Sequence, residues 1–147
     1  MKNVTVRTLS LLVICAATVF LSACQFGPVH QKWTASLPGN ALTSDQLREL
    51  FVDKTVKSQT RASGRISDTY YDPSGQVRQL QNGNQRYGHW KISDNGRICL
   101  KMAASREKCR IILQQNGEYG KYVVKRSGEH EHVVSYLSFE NGNTLGF

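Results

Sequence analysis

Three groups of side chains in this sequence could carry chemistry. The first is Glu129-His130-Glu131-His132. Alternate residues of an extended strand point the same way, so His130 and His132 would share one side. Two imidazoles there, joined by a third ligand from elsewhere, could hold Zn²⁺ or Cu²⁺. The plainer reading, a solvated turn after Ser127-Gly128, is preferred because two ligands do not complete a site. The second group is Lys101, Arg106, Lys108 and Arg110. Such a cluster can hold phosphate or carboxylate. It can equally be a solvated hairpin whose charges resist edge pairing. Aromatics do not interleave with it as they do in single-strand nucleic-acid binders. The third group is the four cysteines, Cys15, Cys24, Cys99 and Cys109.

Motifs for catalysis are missing. There is no Gly-x-Ser-x-Gly, no Gly-rich phosphate loop and no His-Glu-x-x-His. Asp68 and Asp72 flank Tyr70-Tyr71, but Asp72 precedes Pro73 and reads as the opening of a turn. The expectation is a non-enzymatic protein without a cofactor. Tyr70, Tyr71, Tyr87, Trp90, Tyr119, Tyr122 and Tyr136 could line a carbohydrate groove; in a small barrel such residues more often serve as core and rim.

The first 23 residues read as a secretory signal. Lys2 and Arg7 supply a basic start, and Leu9–Phe20 is an apolar run of 12 residues. A bilayer span needs roughly 20, so a transmembrane anchor is the lesser alternative. Leu21-Ser22-Ala23-Cys24 follows at once. This stretch resembles the lipobox of bacterial lipoproteins. The resemblance implies cleavage after Ala23 and lipid on the Cys24 thiol, with the new amine also acylated. Two or three acyl chains anchor stably where one does not, at about 0.8 kcal/mol per buried methylene. Gln25 in the next position implies sorting to the outer membrane, with the domain facing the periplasm. With Cys15 removed and Cys24 lipidated, Cys99 and Cys109 remain as an even pair in an oxidising compartment, where a disulfide is expected. A redox or metal pair is the alternative, without the CxxC spacing to support it.

The formal net charge is +8, of which Lys2 and Arg7 contribute two, leaving +6 after cleavage. A cytoplasmic chain this basic would suggest nucleic acid. Export removes that partner and leaves the membrane itself, lipopolysaccharide, peptidoglycan carboxylates or an envelope protein.

Residues 24–40 read as the lipidated cysteine and a flexible tether, with Gly27, Pro28, Pro38 and Gly39 and no periodicity. Trp33 stands out there, as a residue for the domain surface or for the membrane interface. Residues 41–147 read as one β-rich domain. A short helix opens it: Thr43 and Gln46 fit a capping box, Leu42 and Leu47 occupy staple positions, and the helix should end near Asp53. Turn signals then recur at Asp72-Pro73-Ser74-Gly75, Asn82-Gly83, Asp94-Asn95-Gly96, Asn116-Gly117, Ser127-Gly128 and Asn141-Gly142. They predict an antiparallel meander of seven to eight strands, barrel- or sandwich-like. Strands are expected near 55–60, 66–71, 76–81, 86–92, 97–102, 109–115, 118–125 and 132–139. Ile98, Leu100 and Met102 alternate with Arg97, Cys99 and Lys101, whereas Cys109 alternates in phase with Ile111 and Leu113. A bulge near Cys109 would bring the two cysteines onto one face.

Over about residues 43–125 the sequence resembles a family of small exported proteobacterial proteins known only as a domain of unknown function. The resemblance is carried by Leu47-Arg48-Glu49-Leu50, Lys54-Thr55-Val56, Tyr70 to Gly75, Gly88-His89-Trp90, Ile98-Cys99-Leu100 and Cys109. It implies turns, core aromatics and a disulfide, and no activity. The architecture and address are also similar to the lysozyme-inhibitor lipoproteins, which are disulfide-bonded barrels on a lipid tether. Their Ser-Gly-x-x-Tyr signature is not matched at Ser63-Gly64 or Ser127-Gly128, and a +6 domain would repel a basic lysozyme.

Overall fold

The computed structural model describes residues 37–147. The signal segment, Cys24 and Trp33 lie outside the described residues. Thr43 caps the helix α1 (Ser44–Phe51) as expected: its hydroxyl accepts from the Gln46 amide while the Gln46 side chain accepts from the Thr43 amide. Leu42 and Leu47 are both buried, so the staple also forms. The chain turns out of the helix through Val52 and Asp53, the latter with φ of 55°.

Eight antiparallel strands follow: β1 (Lys54–Thr60), β2 (Ile66–Tyr71), β3 (Gln76–Gln81), β4 (Asn84–Ser93), β5 (Arg97–Met102), β6 (Lys108–Gln115), β7 (Glu118–Val124) and β8 (His130–Asn141). Each pairs with the next, and β8 pairs back on β1, which closes the barrel. Closure leaves no free sheet edge and decides between the two architectures left open above. It also gives every strand an inner and an outer face. Two register shifts, at Lys57/Ser58 and at Lys121/Tyr122, lie where β8 meets its neighbours, so the longest strand bends most.

The helix closes one end. Leu47 and Phe51 sit inside with Val56, Tyr71, Val77, Trp90, Ile98, Ile112 and Tyr136. Phe51 is 0% exposed and meets Tyr71, Tyr136 and Phe139 edge-on at 5.0, 5.3 and 5.6 Å. Asp72 opens the β2–β3 turn, accepting from the Ser74 amide at 2.8 Å, and its backbone carbonyl accepts from the Trp90 indole at 2.8 Å. That bond fixes β4 against the turn. At Gly88 the backbone of β5 passes so near that an added Cβ would lie 2.4 Å from the Lys101 carbonyl oxygen. A glycine inside a strand at a barrel corner permits this approach.

The expected bulge at Cys109 is not what joins the cysteines. The β5–β6 register runs unbroken through Ile98↔Arg110, Cys99↔Cys109 and Leu100↔Lys108, so Cys99 and Cys109 lie directly opposite on the outer face and are bonded. Both faces of β6 are covered, which is why alternation misled there. Ile112 faces the barrel core, whereas Ile111 and Leu113 lie outside under Leu37 and Ala41. That strap pairs with β6 where β5 has ended: the Leu42 amide donates to Ile112 and the Gln114 amide to Asn40. Leu37 therefore docks from within the stretch read as tether. The disulfide closes a separation of 10 residues, for which loop-closure entropy gives a little under about 3 kcal/mol. It clips the barrel's shortest seam, with three paired positions.

Candidate functional site

Residues directly opposite in a ladder share a face, so the register shows what looks inward. Arg110 opposes Ile98, Lys108 opposes Leu100, Lys121 opposes Ile112, and Arg86 opposes Gln79. Ile98 and Ile112 belong to the core, so these four cations point into the barrel. They do so away from α1: the helix sits by the β4–β5 turn, where Ser44 donates to the Ser93 carbonyl, and Lys108 and Arg110 start β6 at the far end. The inner wall grades along the axis, from Phe51, Tyr71 and Trp90 at the plugged end to Ser58, Ser67 and Gln79 beyond.

The cations meet at a cavity of about 240 Å³ in this open mouth, lined by Arg86, Ile98, Leu100, Met102, Ser105, Arg106, Lys108, Arg110 and Lys121. Five cationic groups come from β4, the β5–β6 loop, β6 and β7, and among the described residues no carboxylate lines the cavity. Among the described residues none of the five belongs to an ion pair. Arg86 is held by a polar chain along the inner wall: its Nη1 donates to Gln79 Oε1 at 3.2 Å, and Gln79 Nε2 donates to Thr69 Oγ1 at 3.1 Å. Arg110 spends one donor on the Cys109 carbonyl at 2.8 Å. Lys121 is half-buried, with its Nζ 5.6 Å from the centre of the Tyr136 ring. Desolvation, with the Arg110 charge second, lowers its pKa from 10.5 to about 8. Burial pushes the Tyr136 phenol well above its ordinary value, with the neighbouring Tyr71 a lesser cause.

Three of the four cations expected to cluster therefore do so: Arg106, Lys108 and Arg110. Lys101 does not. It pairs with His89 on the outer face, because Met102 on its inner-facing side takes the cavity wall. Arg86 and Lys121 were missed by sequence reasoning. Lys121 alternates in phase with Tyr119 and Val123, which was the available signal.

Among the described residues, His130 and His132 are not grouped with a third metal-capable side chain. His130 is exposed, while His132 stacks on Tyr122 at 4.6 Å and its Nε2 lies 2.9 Å from the Val134 carbonyl oxygen. Among the described residues the one grouping of three metal-capable side chains is Cys99, Glu107 and Cys109, whose sulfurs are spent in the disulfide. A larger recess, about 690 Å³, lies along β7 and β8. Its lining is mostly amide and aromatic, with both Glu118 and Arg61. The smaller mouth is the stronger candidate because its charge is one-sided and uncompensated.

A family described as a protein of unknown function (DUF995) matches residues 16–112. The chain belongs to this family. The DUF995 match runs through α1 and β1 to β5 into β6, and so takes in Arg86, Arg106, Lys108 and Arg110 but stops short of Lys121. No curated protein and no solved structure matches the chain.

Proposed function

We propose that this chain is a lipid-anchored envelope protein whose barrel, without catalysis, binds an anionic component of the envelope at its cationic mouth. The observation that carries the reading is the convergence of five cations, without an acid, on one cavity of the closed barrel. Arg110 and Lys121 are half-buried side by side, and like charges drawn partly out of water together are unfavourable unless something neutralises them. Among the described residues the charged lining is arginine and lysine throughout, which supports binding of an anion. The signal-like start, Cys24 and the outer-membrane sorting residue Gln25 support the address, and the disulfide suits an oxidising compartment. On this reading the partner is lipopolysaccharide or peptidoglycan.

Arg106 and Lys108 test it, because both are exposed and removable without disturbing the core. Each exposed ionic contact is worth roughly 0.2–1 kcal/mol. Arg106→Gln with Lys108→Gln is therefore expected to bind lipopolysaccharide about 2- to 30-fold more weakly. Wild-type binding should weaken with added salt, since exposed charges are screened over about 8 Å at physiological ionic strength. Titration calorimetry at two salt concentrations reads both effects. Binding that ignores both salt and the double substitution would contradict the proposal.

A further inference from the structure

We infer that the mouth selects a compact dianionic oxyanion, the phosphomonoester end of a larger molecule, and seats it between Arg110 and Lys121 with its apolar stem against Leu100 and Met102. This rests on the anion-site reading and narrows it. Volume sets the first limit. A cavity of about 240 Å³ holds roughly eight waters' share of liquid volume. That admits a phosphate and a few carbons, and keeps a sugar chain or bundle of acyl chains outside. Below the cavity Ile98 and Ile112 continue into the packed core, so the ligand enters end-on.

Donor chemistry sets the second limit. Apart from the Ser105 hydroxyl, every polar side chain in the lining is a donor without acceptor capacity. The complementary ligand is acceptor-only, as a fully ionised phosphate is. Arginine forks match such oxygens in bidentate fashion. The third limit is charge. Arg110 and Lys121 disfavour each other, and a dianion answers both where a monoanion answers one. The fourth is the apolar stripe of β5: Ile98, Leu100 and Met102 lie beside the cations of β6, with Ile98 opposite Arg110 and Leu100 opposite Lys108 in the ladder. The complementary ligand therefore carries carbon directly next to its charge.

Proton linkage follows. Lys121 is faced by Arg110 on β6, Arg86 on β4 and Tyr136 on β8, with Arg106 and Lys108 at the rim; β8 also sets Glu131 on this face, opposite Val123, where Lys125 pairs with it at 3.5 Å. Phosphate becomes dianionic above about pH 6, and Lys121 loses its proton near pH 8. Affinity should peak between those values and fall above them, with proton uptake on binding, because the ligand favours the charged amine.

The experiment titrates the full-length protein in detergent with inorganic phosphate, phenyl phosphate and methyl phenyl phosphate, a monoanionic diester. Phenyl phosphate is expected to bind roughly tenfold or more tightly than either of the others. Arg110→Gln should cost roughly tenfold or more, as a lost charged hydrogen bond does, and Lys101→Gln, on the outer face, should cost nothing. Should Arg110→Gln fail to fold, Arg86→Gln serves, since Arg86 is exposed. Displacement of phenyl phosphate by micelles containing phosphatidate supports a lipid headgroup as the source; phenyl phosphate binding that phosphatidate cannot displace supports a free organic phosphate. Equal affinity for all three small ligands overturns the inference. So does lipopolysaccharide binding with which phenyl phosphate does not compete, an outcome that leaves the anion-site reading standing. Loss of both kinds of binding overturns the two together.

Discussion

Phe51→Ala is expected to lower the unfolding free energy by about 3–5 kcal/mol, the usual range for a large aromatic removed from a core. The residue is the plug of the barrel. It is 0% exposed and touches Tyr71, Tyr136 and Phe139 edge-on. Those rings come from β2 and β8, the strands on either side of β1, so collapse into the vacated space would require two hydrogen-bonded strands to shift together. The edge-on pairs add about 0.5–1.5 kcal/mol each beyond area burial, which favours the upper part of the range. Each kcal/mol lowers the melting temperature by about 4 °C or more in a domain near this size, so thermal denaturation followed by circular dichroism should show a fall of more than about 10 °C. Leu137→Ala is the contrast. Leu137 is apolar but 51% exposed on the outer side of β8, and the change should stay within about 0.5 kcal/mol. Similar melting of the two variants would mean that α1 does not seal the barrel.

Cys24→Ser is expected to abolish lipidation altogether. Thioether formation needs a thiolate-capable side chain, and serine offers a far weaker nucleophile. In the proposed processing, acylation precedes cleavage, so the precursor should also persist uncut after Ala23. Without acyl chains the domain loses the anchoring of about 0.8 kcal/mol per buried methylene. Metabolic labelling with palmitate, followed by mass determination, measures both consequences. Continued palmitate incorporation by the mutant would remove the anchor from the account.

The fold was largely legible because the turns are strong local signals. Asp72-Pro73-Ser74-Gly75 and Asn116-Gly117 need no tertiary context, and both fall between strands as expected. Gly75 and Gly117 have φ of 87° and 82°, which only the turn geometry demands. The helix was legible because Thr43, Gln46, Leu42 and Leu47 specify its start through local contacts. Closure was not, since nothing in β1 or β8 alone says that they pair. The site was half legible for a related reason. Clustering in sequence picked out Lys101, Arg106, Lys108 and Arg110, but the pleat sends Lys101 outward. Arg86 and Lys121 lie far from that cluster in sequence and join it only once the barrel closes. Inside positions are ordinarily assumed apolar, and at the mouth of this barrel they are cationic. The run Ile111-Ile112-Leu113 hid the phase of β6, because the outer strap buries one face and the barrel the other.

Chemical-shift mapping of the full-length protein on addition of lipopolysaccharide tests the central claim most directly. Binding at the mouth predicts the largest changes at Leu100, Met102, Arg110 and Lys121, on the inner walls of β5, β6 and β7. Changes confined to Tyr119, Tyr122 and His132, along the recess between β7 and β8, would contradict it, as would a spectrum that does not change.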